Sequence, residues 1–295
     1  MRYSLALPAD DPARLLSAAR TLERLGIDAG FLTDHPAPDT RWLAAGGHHA
    51  LEPTVALAAA GAATSSLRLH THIYVLAYRN PFLAAKALGS LDVVSGGRLI
   101  CGVAAGYLRP EFGALGIDFD RRNDLTDEAI DVMRRVWTGE SVAGESPPWR
   151  ARGVTQLPAP AGIPPIWIGG NTGRAMRRAA VLGDGWAPFP TAPGLAQAAK
   201  TTDLSSVEQL ANRIARCHEL RAEAGRIDPF DVCCGSFGFG SYASGSRGPS
   251  ELVDELGRMG DAGVTWTTAI VGGSTRAELL ERIERFADEV VSPTR

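Results

Sequence analysis

LRLHTHIYVLAYRNPFLAAKALGSLDVVSGGRLICGVAAGY, residues 67–107, is the stretch whose reading decides the fold. It divides into a strand over 67–75, the turn Tyr78-Arg79-Asn80-Pro81, a helix over 82–94, the turn Ser95-Gly96-Gly97 and a second strand over 98–103. Asn80 is suited to accept a backbone N–H as helix cap, and Pro81 sits at the first helical position, where its missing donor costs nothing. Gly96-Gly97 stops the helix with residues that tolerate positive φ. Leu99, Ile100, Cys101 and Val103 make the second strand too apolar to be half exposed, so both strands read as buried on two faces, joined by a right-handed parallel crossover.

The same alternation runs outward in both directions. Upstream lie a strand over 3–7, a helix opened by Asp10/Asp11 and Pro12 that buries Leu15, Ala19 and Leu22, a strand over 29–33 ending in Asp34-His35-Pro36, and a helix over 53–63. Downstream come a helix over 124–137, a short strand Ile166-Trp167-Ile168, Gly169-Gly170-Asn171-Thr172 leading into a helix over 174–182, and a strand Gly185-Trp186-Ala187. A capped helix opening at Ser205-Ser206-Val207-Glu208-Gln209, a strand over 231–239, a helix over 250–259, a strand over 264–271 and a helix capped by Thr275 complete the chain. Segments 139–165, 184–206 and 235–249 read as long loops. About eight strands alternating with helices favour a (β/α)8 TIM barrel with loop insertions, one domain over 1–295, above an open doubly wound sheet. No GxGxxG follows the first strand, which removes the main support for a dinucleotide-binding open sheet.

Composition bounds the function. Apolar residues at 45% with charged residues at 21% suit a globular enzyme with a sizeable core. A net charge of −3 gives no basic field for nucleic acid. No apolar run is long enough to span a bilayer, and a strand opens the chain without a signal-like leader, so a cytoplasmic protein is expected. Cys101, Cys217, Cys233 and Cys234 show no zinc spacing and read as buried, reduced thiols. Lys86 and Lys200 are the only lysines, which rules out a lysine-rich phosphate clamp.

In a barrel, chemistry gathers where strands end. Four clusters land there: Asp34-His35, His70 to Tyr74, Ala104 to Tyr107, and Gly169 to Thr172. A histidine beside a carboxylate can take or give a proton near neutral pH, although Asp34-His35-Pro36 is also a plausible solvated turn. His70 and His72 share one face of a strand, facing either the barrel interior or the helix layer. With Asp34 and His35 they could ligate a metal, or simply make core hydrogen bonds. Gly169-Gly170-Asn171-Thr172 offers backbone N–H groups at a helix start, a natural anion seat. Trp42 and Tyr107 could wall a pocket or cover loops.

Taken together, Tyr78-Arg79-Asn80-Pro81, Ala84-Ala85-Lys86-Ala87-Leu88, Leu91-Asp92-x-x-Ser95-Gly96-Gly97-Arg98-Leu99 and Gly102-Val103-Ala104-Ala105-Gly106-Tyr107 resemble the bacterial luciferase-like monooxygenase superfamily. Asp34-His35 and the run from Ile168-Gly169-Gly170-Asn171 to Leu182-Gly183-Asp184-Gly185-Trp186 resemble its branch that uses the deazaflavin F420. The resemblance implies a TIM barrel with Asp34 near the polar edge of the deazaflavin and His35 near the carbon that exchanges hydride. It implies a bulge with a cis peptide at His72-Ile73 behind the ring, with Ala105, Gly106 and Gly169, Gly170, Asn171 and Thr172 against the ring side and the phosphate-bearing tail. Two positions depart from the pattern: Ala104 replaces a usual glycine, and Tyr107 stands where Trp or Glu is common. A Glu there serves proton transfer in sugar-phosphate dehydrogenase members, so Tyr107 points away from that substrate class.

The expectation is an F420-dependent oxidoreductase that transfers a hydride to or from a small organic substrate, with His35 as the proton carrier and Trp42 and Tyr107 in the substrate pocket. The alternatives are an FMN-dependent monooxygenase fed by a separate reductase, a metal-dependent hydrolase using His35, His70 and His72, and a barrel that binds without turnover. The resemblance leaves room for a homodimer. No metal, nucleic acid or membrane is expected in the reaction.

Overall fold

The computed structural model describes residues 1–146, 149–198 and 200–295. Its strands are β1 (Arg2–Ala6), β2 (Ala29–Leu32), β3 (Arg68–Val75), β4 (Leu99–Ala104), β5 (Val142–Ser146), β6 (Trp149–Val154), β7 (Ile166–Gly169), β8 (Gly185–Ala187), β9 (Asp231–Val232) and β10 (Trp266–Ala269). Eight of them form one sheet in the order β10-β1-β2-β3-β4-β7-β8-β9, all neighbours parallel. A parallel bridge between Cys233 and Trp266 joins the two edge strands and closes the barrel. This is the (β/α)8 architecture that the alternation implies.

The central unit folds as its punctuation dictates. Asn80 accepts the Phe82 N–H at 3.0 Å and caps the helix Pro81–Ser95, which Gly96 ends at a φ of 74°. That helix buries Ala84, Ala85, Leu88 and Leu91 on the outside of β3 and β4, each leucine contributing about 1.5–3 kcal/mol by leaving water. The sequence reads its neighbours equally well: Asp11 caps Pro12–Arg24, Ser206 caps Val207–Glu223 and Thr275 caps Arg276–Phe286.

Register decides what faces inward. The pairs Ser4↔Ala29, Phe31↔His70, His70↔Ile100 and Gly102↔Trp167 put these side chains on the inner face, because paired residues share a side. Ala29, Ile100, Trp167, Ala187, Cys233 and Trp266 pack as the barrel filling, while the larger cluster lies between strands and helices. Gly102 has no substitute here. A Cβ on it would stand 2.1 Å from the Thr71 carbonyl oxygen, at the point where β3 slips register between Thr71 and Tyr74. The slip is the bulge, and His72-Ile73 within it is a cis peptide.

Three readings change. The segment 139–165 contains an antiparallel hairpin, β5 with β6; Pro147 and Pro148 lie outside the described residues. The strand expected over 231–239 is only Asp231–Val232, and Phe239–Ala243 is a short helix. The segment 184–206 carries β8, the helix Pro193–Ala198 and a bridge between Thr191 and Leu204; position 199 is outside the described residues. Among the described residues no helix is long and apolar enough to cross a membrane.

Candidate active site

A cavity of about 500 Å³ opens at the carboxyl ends of the strands. Asp34, His35, His72, Ile73, Ala105, Gly106, Tyr107, Gly169, Gly170 and Thr172 line it, which brings together ten residues from four βα junctions. The remaining two candidates stand behind that lining. Trp42, on the short helix Thr40–Ala44, packs its ring 4.4 Å from that of His35. Asn171 is buried, and its amide donates to the Phe189 carbonyl, Thr191 Oγ1 and the Thr202 carbonyl, pinning the loop after β7 to the loop after β8.

Asp34 follows β2 into the interior and is buried. Its Oδ2 accepts the Val75 N–H at 2.9 Å and Arg79 Nη1 at 2.6 Å, and its Oδ1 accepts Arg79 Nη2 at 2.9 Å. Such a two-pronged guanidinium–carboxylate pair fixes orientation as well as charge. The Arg79 guanidinium also lies 4.0 Å over the Tyr74 ring. Asp34 thereby ties the end of β2 to the end of β3, and this commits most of its hydrogen-bonding capacity to the protein itself.

His35, one residue on, has a different partner. Its Nδ1 is 3.3 Å from Glu111 Oε2, and its ring sits among those of Trp42, His48 and Tyr107. Glu111 is fully buried; burial would raise its pKa, but hydrogen bonds from His35, Tyr78 and the Ala37 N–H outweigh it and hold the carboxyl below the usual range. Burial, followed by the neighbouring Glu111 carboxylate, pushes the Tyr78 phenol up. Burial also raises Tyr107 and lowers His48.

Below the cavity, His70 and His72 stand with ring centres 5.0 Å apart. His70 Nδ1 is 3.0 Å from Ser4 Oγ, whereas His70 Nε2 and His72 Nδ1 are buried without partners among the described residues. Burial lowers both, His72 to about 4. Among the described residues no group of three or more His, Cys, Asp or Glu is placed to hold a metal ion.

The far flank is basic. Arg122, Arg174, Arg178 and Lys200 line it beside Gly170 and Thr172. Arg174 and Arg178 are paired with Asp124 and Asp127, while Arg122 and Lys200 lie over the Phe119 ring and form no ion pair among those described. Glu111, Arg79 and this basic flank escape a reading of the sequence alone. Arg79 lies within a quoted motif and Glu111 just beyond one, but their partners are 45 and 76 positions away.

A closed parallel barrel with a histidine-bearing cavity at its carboxyl mouth has the layout of a barrel enzyme. Residues 2–239 match the luciferase-like monooxygenases, and the chain belongs to that family of oxidoreductases. A Mycobacterium tuberculosis protein whose name assigns no activity is 29% identical, with 99% of each chain covered. F420-dependent glucose-6-phosphate dehydrogenase of Intrasporangium calvum is 33% identical across 59% of this chain; the match spans 53% of that relative's length. Among solved structures, a monooxygenase from Streptomyces bottropensis superposes with a TM-score of 0.80 at 19% identity, both chains covered fully. An F420-dependent secondary alcohol dehydrogenase in complex with an F420–acetone adduct superposes at 0.78 and 17%, again over both full chains.

Proposed function

We propose that this chain is an F420-dependent oxidoreductase that moves a hydride between the deazaflavin and a small organic substrate. The observation that carries the reading is the cavity's division of labour. One wall bears a histidine backed by a buried carboxylate, the floor is the bulged His72-Ile73 pair, and the opposite flank holds two cations outside the described ion pairs. Such a cavity suits a planar ring with an anionic tail.

The residues present fit that group. A Cβ on Gly169 would meet Ile73 Cδ1 at 2.5 Å, so glycine here gives the Ile73 side chain room to lie against the backbone as a floor. His72 Nδ1 is a buried polar atom without a partner at the edge of the same cavity, which a polar ring edge could satisfy. Gly169, Gly170 and Thr172, with Arg122 and Lys200, would hold the phosphate-bearing tail. Ala105 and Gly106 would lie along the ring, with Asp34, held by Arg79, near its polar edge. Trp42 and Tyr107 would border the substrate.

When bound, the deazaflavin supplies the hydride chemistry. The protein's own task is the proton. A hydride leaving an alcohol leaves a proton to be taken, and a hydride added to an enone or imine requires one, and His35 is placed to handle it. The relatives named for F420 support this cofactor.

A second reading, an FMN-dependent monooxygenase served by a separate reductase, is favoured by the fold match to the Streptomyces monooxygenase. A binding titration separates the two. F420 is expected to bind at micromolar affinity or tighter and FMN more weakly; tight, stoichiometric FMN with no F420 binding would replace the first reading by the second.

A further inference from the structure

Glu111 lies on the short helix Arg109–Ala114, fully buried and outside the cavity lining, yet it is joined to the cavity through one atom pair. Its Oε1 accepts the Ala37 N–H at 3.2 Å; its Oε2 accepts the Tyr78 hydroxyl at 2.6 Å and faces His35 Nδ1 at 3.3 Å. No arginine or lysine forms an ion pair with it among those described, so its neutralisation is left to neutral donors and to the imidazole. Burying a carboxylate on these terms is costly unless the donors are fixed in place.

We infer that Glu111 is a positioning residue that holds the His35 ring and selects its tautomer, with hydrogen on Nδ1 and the Nε2 lone pair left for the cavity. The inference rests on the reading of His35 as the proton carrier. An ionised carboxylate can only accept, so the imidazole nitrogen that faces it must carry hydrogen. With Nδ1 occupied, Nε2 is the position that takes the proton from substrate, or returns it once the ring is charged. Ring rotation, which would swap the nitrogens, is opposed by Trp42 packed at a tilt at 4.4 Å and His48 edge-on at 5.1 Å. The Tyr78 hydroxyl and Ala37 N–H fix the carboxylate in turn, so neither oxygen can turn toward solvent. A buried acid that orients a histidine in this way is worth far more to turnover than to binding, since the wrong tautomer presents a donor where an acceptor is needed.

Leu at this position tests the assignment, because it fills a similar volume and accepts from none of the three donors, leaving nothing to hold hydrogen on Nδ1. The experiment is a two-bond ¹H–¹⁵N correlation spectrum of histidine-labelled protein, with His35 assigned by its loss in His35→Ala. The expected result is Nδ1–H in the native protein and a shift to Nε2–H, or to a mixture, in Glu111→Leu. Tyr78→Phe, which keeps the carboxylate, is expected to retain Nδ1–H. An Nε2–H native spectrum overturns the inference without any variant, as does a Glu111→Leu protein that keeps Nδ1–H. F420 titrations on the same samples separate the two levels: affinity within about threefold between native and Glu111→Leu is expected of a positioning role. Failure of the native protein to bind F420 would remove the functional reading and leave the tautomer result to stand by itself.

Discussion

His35 at the barrel mouth and the His70–His72 pair beneath it occupy neighbouring layers of one barrel, but the protein provides for them in opposite ways. His35 has a buried carboxylate within reach of Nδ1, a ring cage and access to the cavity. His70 and His72 have rings for neighbours, a single hydroxyl at His70 Nδ1 and two nitrogens without partners. An imidazole next to a fixed anion can carry a proton through a reaction cycle; one sealed between Phe31 and Trp167, as His70 is, is held neutral. Histidine count in a sequence therefore says little about proton chemistry until the partner of each ring is known.

The sharpest way to break the contrast is to remove the mouth histidine. His35→Ala is expected to lower turnover about 10²–10⁴-fold while leaving cofactor affinity within about tenfold. Both are to be read on one preparation, by the deazaflavin's visible absorbance with small alcohols and enones as probes. Weaker cofactor binding with an unchanged rate at saturation would mean that the ring merely packs.

The interior pair gives the next effect, in stability. Its imidazoles have folded pKa values below that of an exposed histidine, so the unfolded chain binds more protons below about pH 6.5 and stability falls as pH drops from there toward about 4. Each histidine is expected to cost about 2 kcal/mol by pH 5 relative to pH 7, before most carboxylates titrate. Urea unfolding of the cofactor-free protein at the two pH values measures it, and equal midpoints would show that the interior tolerates the charge after all.

The smallest effect belongs to the basic flank. Lys200→Ala is expected to weaken F420 binding by no more than about tenfold, and the loss should shrink as salt rises, because solvent-facing charges are screened. A loss that salt leaves unchanged would assign Lys200 a packing role over Phe119 instead.

The sequence discloses some of these features and conceals others for physical reasons. Asn80, Pro81 and Gly96 act on their immediate neighbours, so the helix between β3 and β4 is legible to within a residue or two. The hairpin of β5 and β6 is not, because Gly144, Gly153 and exposed polar positions dilute its alternation. The strand expected over 231–239 stops at Val232, where its ladder to β8 ends with the pair Trp186↔Val232. At the site, strand ends announce His35, His72 and Gly169 by position alone. Glu111 carries no such signal: it looks like an ordinary acidic residue in the first turn of a surface helix until the barrel brings Tyr78 and His35 to it. Arg79 is similar, a turn residue in the sequence and the partner of Asp34 in space.

The seam where β9 meets β10 has a further consequence. Most of the barrel is laced by ladders of three or more paired residues, whereas β9 holds β8 by two pairs and meets β10 through the Cys233–Trp266 bridge, the Cys234 N–H to the Trp266 carbonyl and the bonds of Thr265 with Asp231 and Val232. Opening energies follow such local bonding, so this line is where the wall is expected to part first, ahead of β2, β3 and β4. Two fully buried thiols, Cys233 and Cys234, lie on it. Their reactivity toward an alkylating reagent then acts as a clock for the breathing of the wall, set by how often the seam parts and not by how much sulfur the surface shows.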